Sequence, residues 1–186
     1  MSTYHHGDLP PALLKAAGKI LEKEGAGALS LRELARRAGV SHNAPYRHFP
    51  DRAALLAALA SEGFERLRQE LEAHAGQESA VAYVRFALEN PQRFRLMFGG
   101  QIAYDRYPAL REQANAAHAN LEERFSQYGG DASLAAAAAW SLVHGLAHLL
   151  LDGHFPEQRK AGAQDFARRV IAAVRFSVGG HKADSR

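Results

Sequence analysis

The sequence predicts an all-α protein, and three observations support this fold class. Apolar residues recur at helical spacing along nearly the whole chain. Segments that alternate apolar and polar residues between turn pairs, as strands do, are nearly absent. Glycines and prolines divide the chain into helix-sized segments, of which two short ones meet at Gly39. We therefore expect about nine helices, arranged as a three-helix amino-terminal module followed by a larger helical bundle.

The composition excludes several classes of protein. Hydrophobic residues make up 47% of the 186 residues, enough for a packed core, and the chain has no cysteine for disulfides, thiolate zinc sites or cysteine nucleophiles. No apolar run approaches the roughly 18 residues of a membrane span, and the first residues, MSTYHHGDLPP, lack a secretory-signal pattern. We expect a cytoplasmic protein without membrane association. The sequence has no P-loop, Rossmann glycine pattern or G-x-S-x-G, so we expect neither an enzyme nor a cofactor.

Positive charge is concentrated in the first third of the chain. Residues 1–60 contain eight lysines and arginines against five acidic residues, whereas residues 61–186 contain fifteen of each. The eight basic residues are Lys15, Lys19, Lys23, Arg32, Arg36, Arg37, Arg47 and Arg52. A basic module joined to a neutral body favours a polyanionic partner for that module.

Capping and terminating residues predict the helices of the amino-terminal module. The first follows Asp8 and stops at Gly25. Ser30 opens the second, with Glu33 three residues on as a capping box, and Gly39 ends it. A third short helix runs from Ser41 through His48, and a long helix covers roughly 52–74.

The remaining helices are predicted over residues 79–90, 91–98, 108–128, 132–152 and 163–178. The segment 74–80 is short for a connection between two helices of the bundle. Whether the given sequence lacks a flexible loop at this point stays open. Helix 132–152 is apolar nearly all round and must be covered on more than one side.

The segment 30–49, SLRELARRAGVSHNAPYRHF, carries the pattern of a helix-turn-helix. Ala35 is small enough for two helices to cross closely, Gly39 supplies the turn, and Val40 fills the space between the helices. Ser41 is suited to cap the next helix and to present its N–H groups to phosphate. Polar residues between Val40 and Phe49 are placed to reach base edges in a major groove.

Residues 9–60 resemble the TetR family of regulators. The resemblance lies in the S-L-R-E-L-A-x-x-A-G-V-S block, in Tyr46, in the His48-Phe49 pair and in Arg52 before two leucines. It implies that residues 1–52 are a DNA-binding domain and that residues 53–186 form a ligand-binding and dimerisation domain. It also implies phosphate contacts for Tyr46 and Arg52, the latter at a position where the family usually has lysine.

The predicted DNA-binding residues are Arg32, Ser41, His42, Asn43, Ala44, Tyr46, Arg47, His48 and Arg52. Arg32 and His48 are further phosphate candidates, and His42, Asn43 and Arg47 are candidates for base contacts, because Asn reads adenine and Arg reads guanine by paired hydrogen bonds. Pro45 departs from the commoner apolar residue of the family and removes one backbone hydrogen bond, so we expect a tightened or tilted first turn. Ordinary solvation of a polar surface is the alternative for each of these residues.

The resemblance in the regulatory domain rests on residues 83–98 and on Trp140, His144 and Gly145, which are similar to a TetR-family subgroup with a Trp-His-Gly signature. It implies a homodimer in which the last two helices pair across a two-fold axis. The predicted interface residues are Leu142, Leu146, Leu149, Phe166, Val170 and Val174. It also implies a small-molecule pocket, with the predicted lining Tyr83, Phe86, Phe94, Met97, Phe98, Tyr104, His118, Trp140 and His144. Aromatic residues at helical spacing are equally well explained as plain core.

His144 and His148 stand four residues apart on one predicted helix face, a spacing found in some zinc sites. Two ligands do not make a metal site, so we expect none. The sequence thus predicts a cytoplasmic, nucleoid-associated repressor that binds a palindromic operator as a homodimer and is released by an unknown small molecule. The alternative is a helical small-molecule- or metal-binding protein without operator binding, and activation instead of repression also stays open.

Overall fold

The computed structural model describes residues 9–127, 130–158 and 162–174. These ranges contain eight α-helices and no strand, which confirms the predicted all-α class. The helices are α1 (Leu9–Glu24), α2 (Leu31–Ala38), α3 (Arg52–Glu72), α4 (Gly76–Glu89), α5 (Pro91–Phe98), α6 (Pro108–Ser126), α7 (Ala132–Leu151) and α8 (Ala163–Ala173).

The predicted third helix, from Ser41 through His48, is wrong in its type. The segment is a turn followed by one short 3₁₀ stretch, Pro45–Arg47. An α-helix would need the N–H of residue 45 to reach the Ser41 carbonyl, and proline has none. The Ala44 N–H bonds to that carbonyl at 2.9 Å instead, which tightens the turn. The 3₁₀ stretch starts after Ala44, without a side-chain cap, so the predicted capping role of Ser41 is also wrong.

The signals that delimit α2 and α7 act as predicted. The Ser30 hydroxyl accepts a hydrogen bond from the Glu33 N–H at 3.1 Å. Gly39 ends α2 in the left-handed conformation, with φ 66°. A carboxylate oxygen of Asp131 accepts from the Leu134 N–H at 2.9 Å and caps α7.

The chain divides into two compact units. The first comprises Met1–Phe64 with Asn90–Ala114, and the second comprises Glu65–Glu89 with Asn115–Arg186. Helices α3 and α6 contribute residues to both units. The predicted division by role, at residues 52 and 53, stays a prediction.

In the first unit, α1 packs against α2 and α5. Its core is built from the apolar stripes of these helices and of the first half of α3. Fully buried members include Leu13, Leu21, Leu34, Leu55 and Leu59. The burial of residues three, four or eight positions apart on each helix explains why the helical periodicity of the sequence is so clear.

In the second unit, α4 packs against both α7 and α8. Alanines allow the close approach of these helices, since Ala87, Ala136, Ala147 and Ala167 are all completely buried. Only three residues, 73–75, join α3 to α4, so the chain connects these helices without a longer loop. Helix α8 ends at Ala173, and the predicted continuation over residues 175–178 lies outside the described residues.

Helix α7 is the one described helix that is long and apolar enough to cross a membrane by length and composition. The prediction that no apolar run approaches the length of a membrane span is therefore wrong for α7. The helix is alanine-rich, and it carries two histidines, His144 and His148, and a tryptophan within its span. A single helix that passes this test is weak evidence, because core helices of soluble proteins pass it too.

Candidate nucleic-acid interface and ligand site

The segment between α2 and α3 separates its polar from its apolar side chains. His42, Asn43, Arg47 and His48 are exposed, as is Ser41. The Tyr46 side chain is 45% exposed. By contrast, Ala44, Pro45 and Phe49 are buried. We call residues 41–49 the recognition segment. Its polar face is exposed, and its apolar face packs into the core. Ala44, which was predicted to contact DNA, lies on the apolar face.

An ion-pair network joins the end of α1 to α2. The Arg37 guanidinium bonds to both carboxylate oxygens of Glu24, at 2.6 and 2.8 Å, and to Glu33 at 2.5 Å. Arg36 makes a paired contact with the same Glu33 carboxylate. Hydrogen bonds from Arg36, and next from Arg37, lower the pKa of Glu33 to about 2. Two of the eight basic residues of the module therefore serve the fold, and their charges are compensated internally.

Arg52, predicted to contact phosphate, has partners within its own chain. Its Nε donates to the Leu29 carbonyl at 2.8 Å, and its Nη2 donates to the Ala26 carbonyl at 2.6 Å. Both acceptors lie in the connection between α1 and α2. Arg32 and Arg52 are both exposed, but the Arg32 side chain makes no hydrogen bond or ion pair with any residue in the described ranges.

A buried arginine that the sequence reasoning missed lies at the centre of the first unit. The side chain of Arg93 on α5 is 4% exposed, and its Nη1 donates to the Leu59 carbonyl at 2.9 Å and to Glu62 at 3.2 Å. The Glu22 carboxylate accepts from the backbone N–H groups of Gln92 and Arg93 and so caps α5. Glycines inside α1 and α3 were the available signal. A Cβ at residue 18 would lie 2.7 Å from Arg93, and one at residue 63 would meet Met97 at 2.6 Å and Arg93 at 3.2 Å.

The predicted ligand-lining residues fall into both units. Phe94, Met97, Phe98 and Tyr104 belong to the first. There Phe94 and Met97 are completely buried, the Phe94 and Phe98 rings are 4.9 Å apart, and the Tyr104 hydroxyl donates to the Met97 carbonyl. These three aromatic residues and Met97 pack together within that unit.

The other predicted lining residues lie in the second unit, where Tyr83 on α4 meets α7. The Tyr83 hydroxyl lies 2.8 Å from His144 Nδ1 and accepts from Trp140 Nε1 at 3.1 Å. The His118 ring is 6.0 Å from Trp140, and the His148 ring is 4.6 Å from His144. We call these five residues the polar-aromatic cluster. Phe86, also predicted to line the pocket, is 3% exposed and belongs to the core.

The environment of the cluster changes its protonation chemistry. Burial raises the pKa of Tyr83, so the phenol stays protonated and is a hydrogen-bond donor. Burial, and next the nearby His148, lower the pKa of His144. A neutral His144 imidazole can accept the phenol proton at Nδ1 while carrying its own proton on Nε2. In the described part of the chain, no group of three or more His, Cys, Asp or Glu residues is placed to hold a metal ion.

The predicted dimer residues differ in exposure. Leu146 is only 5% exposed and belongs to the core of the single chain, and Leu142, Phe166 and Val170 are half-buried. Leu149 is 43% and Val174 38% exposed. Leu134, at 68%, adds a further large apolar side chain to the exposed part of α7. An apolar surface therefore remains along α7 and the end of α8 in the single chain.

Two family models match the chain. Residues 13–59 match the bacterial regulatory proteins of the tetR family, and residues 77–174 match the tetracyclin repressor-like C-terminal domain. Among curated proteins, the chain is 30% identical over 125 residues to the nucleoid occlusion factor SlmA of Aliivibrio fischeri and 28% identical to that of Vibrio vulnificus. Each match covers 62% of this chain, and the chain spans 63% of the length of these relatives.

Solved structures are similar over nearly the whole chain. A protein of unknown function from Rhodococcus sp. RHA1 is 36% identical, with a TM-score of 0.77 over 93% of this chain and 94% of that one. The regulator PfmR of Thermus thermophilus has a TM-score of 0.60 at 21% identity, covering 86% and 94%. A TetR variant of Acinetobacter baumannii AYE in complex with minocycline has a TM-score of 0.60 at 20% identity, covering 87% and 93%. The last two similarities are evidence of the fold alone.

The two family models match successive parts of the chain. The first model covers most of α1, all of α2, the recognition segment and the start of α3, and the second covers nearly all of α4 through α8. The chain belongs to the TetR family of bacterial regulatory proteins and has the amino-terminal helix-turn-helix domain of that family.

Proposed function

We propose that this regulator is a homodimeric repressor whose operator affinity falls when a small molecule binds to its regulatory part. The recognition segment carries the proposal, because it exposes His42, Asn43 and Arg47 on a face held by the buried Pro45 and Phe49. Such an arrangement suits insertion into a major groove, where Asn pairs with adenine and Arg with guanine.

Phosphate contacts would hold the segment in register on the duplex. Arg32 on α2 is exposed and has no internal side-chain partner in the described ranges, and Tyr46 and His48 are exposed on the recognition segment. Contacts of this kind supply affinity without reading sequence. We assign phosphate binding to these three residues and base contacts to His42, Asn43 and Arg47, with Ser41 at the entrance of the segment.

Dimerisation would bring two recognition segments onto one operator. Leu134, Leu149 and Val174 leave apolar surface on α7 and α8 that a second subunit would cover. Two-fold pairing there favours a palindromic operator whose half-sites are about 34–36 Å apart, one turn of B-DNA.

The polar-aromatic cluster is the proposed ligand site. Tyr83, Trp140 and His144 combine aromatic surface with a hydroxyl, an indole N–H and an imidazole in the second unit, a combination typical of small-molecule sites. An effector that prefers the low-affinity form of the dimer by about 1–3 kcal/mol would change operator affinity 5–150-fold. We place the protein in the cytoplasm, on the nucleoid.

A second candidate function comes from the similarity to nucleoid occlusion factors, at 30% identity over 62% of the chain. For this candidate we infer DNA sites dispersed over the nucleoid, instead of one operator beside a regulated gene. Mapping the DNA bound by this chain across its own genome separates the two functions. A few sites beside promoters support the repressor, whereas many sites dispersed away from promoters support the second candidate.

The ligand response is tested with the single tryptophan of the chain. Trp140 lies in the cluster, so its fluorescence reports binding there without a label. Compounds that change this fluorescence are added to the protein–DNA complex. Release of DNA by such a compound, and loss of the fluorescence change in Tyr83→Phe, support the ligand-responsive repressor. A compound that binds at the cluster without altering DNA affinity, in a chain that selects no duplex, supports the alternative of a small-molecule-binding protein.

A further inference from the structure

We infer that Arg52 is a positioning residue that sets the recognition segment for base reading, and that it does not act by binding phosphate. The inference rests on the proposed DNA binding. It runs against the phosphate role that the resemblance implies for this position. The observation behind it is the paired donation from Arg52 to the carbonyls of Ala26 and Leu29, at 2.6 and 2.8 Å.

The two acceptors belong to a short connection that leads directly into α2. Residues 26–28 form a 3₁₀ turn, Leu29 is 1% exposed, and Ser30 caps α2. The Leu29 N–H already bonds to the Ala26 carbonyl at 3.1 Å, so the turn presents both carbonyls as a fixed pair. The planar fork of a guanidinium matches two such acceptors at once, which a lysine ammonium on a flexible stem does not.

Arg52 is also the first residue of α3, and only Pro50 and Asp51 separate it from the recognition segment. The adjacent Asp51 accepts from the Ala54 N–H at 2.7 Å and fixes the start of that helix. Arg52 therefore ties the start of α3 to the start of α2, and these two helices hold the two ends of the recognition segment.

The recognition segment depends on its ends because it has little helical structure of its own. Pro45 removes one backbone donor, and the segment contains a turn and a single 3₁₀ stretch. Pro45 and Phe49 anchor it in the core, but the direction in which Asn43 and Arg47 project follows from the positions of α2 and α3. Loss of the two Arg52 hydrogen bonds would let α2 and α3 shift. It would lower the affinity for a specific base sequence more than the affinity for DNA of any sequence.

The test compares Arg52→Lys, Arg52→Gln and the wild type on two DNA duplexes. One duplex is selected from a random-sequence pool by the wild-type chain, and the other is a scrambled duplex of the same length. Affinities are measured over a series of KCl concentrations, well below the unfolding midpoint of each variant. Arg66→Gln on the exposed side of α3 serves as the charge-matched control, and Arg32→Gln serves as the phosphate-contact reference.

A positioning role predicts that both Arg52 variants lose about tenfold or more in affinity for the selected duplex. Binding to the scrambled duplex and the salt dependence should stay close to those of the wild type and Arg66→Gln. A phosphate contact predicts the opposite: Arg52→Lys keeps wild-type affinity, and Arg52→Gln weakens both duplexes and flattens the log–log salt slope by about 0.9 per subunit.

Two other results would also overturn the inference. Variants with a lower unfolding midpoint but unchanged affinity and selectivity would give Arg52 a role in stability alone. Failure of the wild type to select any duplex would remove the proposed function and the inference together. That failure differs from failure of the Arg52 inference alone, because in that case the wild type would still select a duplex.

Discussion

The Tyr83 hydroxyl lies 2.8 Å from Nδ1 of His144, and this pair joins α4 to α7 inside the second unit. Trp140 donates to the same hydroxyl, so the phenol proton is directed to the imidazole. The pair is therefore most stable when His144 is neutral. The protonation state of His144 connects the pH of the medium to the geometry of the proposed ligand site.

The first prediction concerns the pKa of His144 in His148→Gln. Burial, and next the charge of His148, lower the pKa of His144, so removing the second histidine should raise it toward its ordinary value of about 6.5. Titration of the imidazole C–H resonances by NMR measures the shift. An unchanged or lower pKa of His144 in the variant would show that the charge of His148 does not lower it.

The same shift has a defined consequence for stability. A histidine whose pKa is lower in the folded than in the unfolded chain binds fewer protons when folded. Its contribution to stability is present above about pH 6.5, the unfolded value, and is lost as the pH falls through and below it. Denaturant unfolding of the wild type between pH 7.5 and pH 5 should show this loss.

The second prediction concerns acid unfolding of the network at α2. Hydrogen bonds from Arg36 and Arg37 lower the pKa of Glu33 from 4.5 to about 2. Its stabilising contribution is present above pH 4.5 and is lost as the pH falls toward 2. Glu33→Gln should thus be less stable than the wild type at pH 7, and the difference should shrink on acidification. In the control Glu123→Gln, on the exposed side of α6, a difference that shrinks equally would contradict this assignment.

The third prediction concerns the space that Gly18 leaves for Arg93. A Cβ at residue 18 would lie 2.7 Å from Nη2 of Arg93, whose Nη1 is held by the Leu59 carbonyl. Gly18→Ala should therefore lower the free energy of unfolding by about 1–3 kcal/mol, despite the better helix propensity of alanine.

Gly27→Ala is the matched control, because a Cβ at residue 27 meets nothing within 4 Å. We expect it to be neutral or slightly stabilising. Urea unfolding of the two variants gives the comparison. A Gly18→Ala variant as stable as Gly27→Ala would show that Arg93 is not fixed against α1.

The fourth prediction concerns the apolar surface on α7. Leu149 is 43% exposed in the single chain, so a glutamate there does not disturb the subunit core. In a dimer that covers this surface, the carboxylate would be buried without a partner, which is costly. Leu149→Glu should sediment as a monomer at concentrations where the wild type is a dimer, and its operator affinity should fall.

Gln69→Glu on the exposed side of α3 controls for the added charge. A Leu149→Glu dimer of unchanged mass would place Leu149 outside the interface. A Leu149→Glu monomer that binds a full operator with wild-type affinity would contradict the dimeric mechanism.

Local signals made much of the fold predictable. Ser30, Gly39 and Asp131 act on groups within four residues of themselves, so the ends of α2 and the start of α7 follow directly from the sequence. The exposure of Asn43 and Arg47 follows from the same short-range pattern. In the recognition segment, however, one missing N–H at Pro45 outweighed the helical pattern around it.

The partners of Arg93 and Arg52 were not predictable in this way. Arg93 meets residues 22, 59 and 62, and Arg52 meets residues 26 and 29, so both depend on tertiary structure. Helical periodicity shows which face of a helix is apolar, but not which helix covers it. For this reason the predicted aromatic lining combined the core of one unit with the cluster of the other.

Sequence-specific DNA binding is the central claim, and the ratio of affinities for a selected and a scrambled duplex tests it most directly. The wild type should bind the selected duplex at least about 10³-fold more tightly at physiological salt. In Arg47→Ala, with an exposed base-contact candidate removed, the preference at one base position in each half-site should fall by about 1–3 kcal/mol. Equal affinity of the wild type for both duplexes would contradict the claim, whatever the salt dependence.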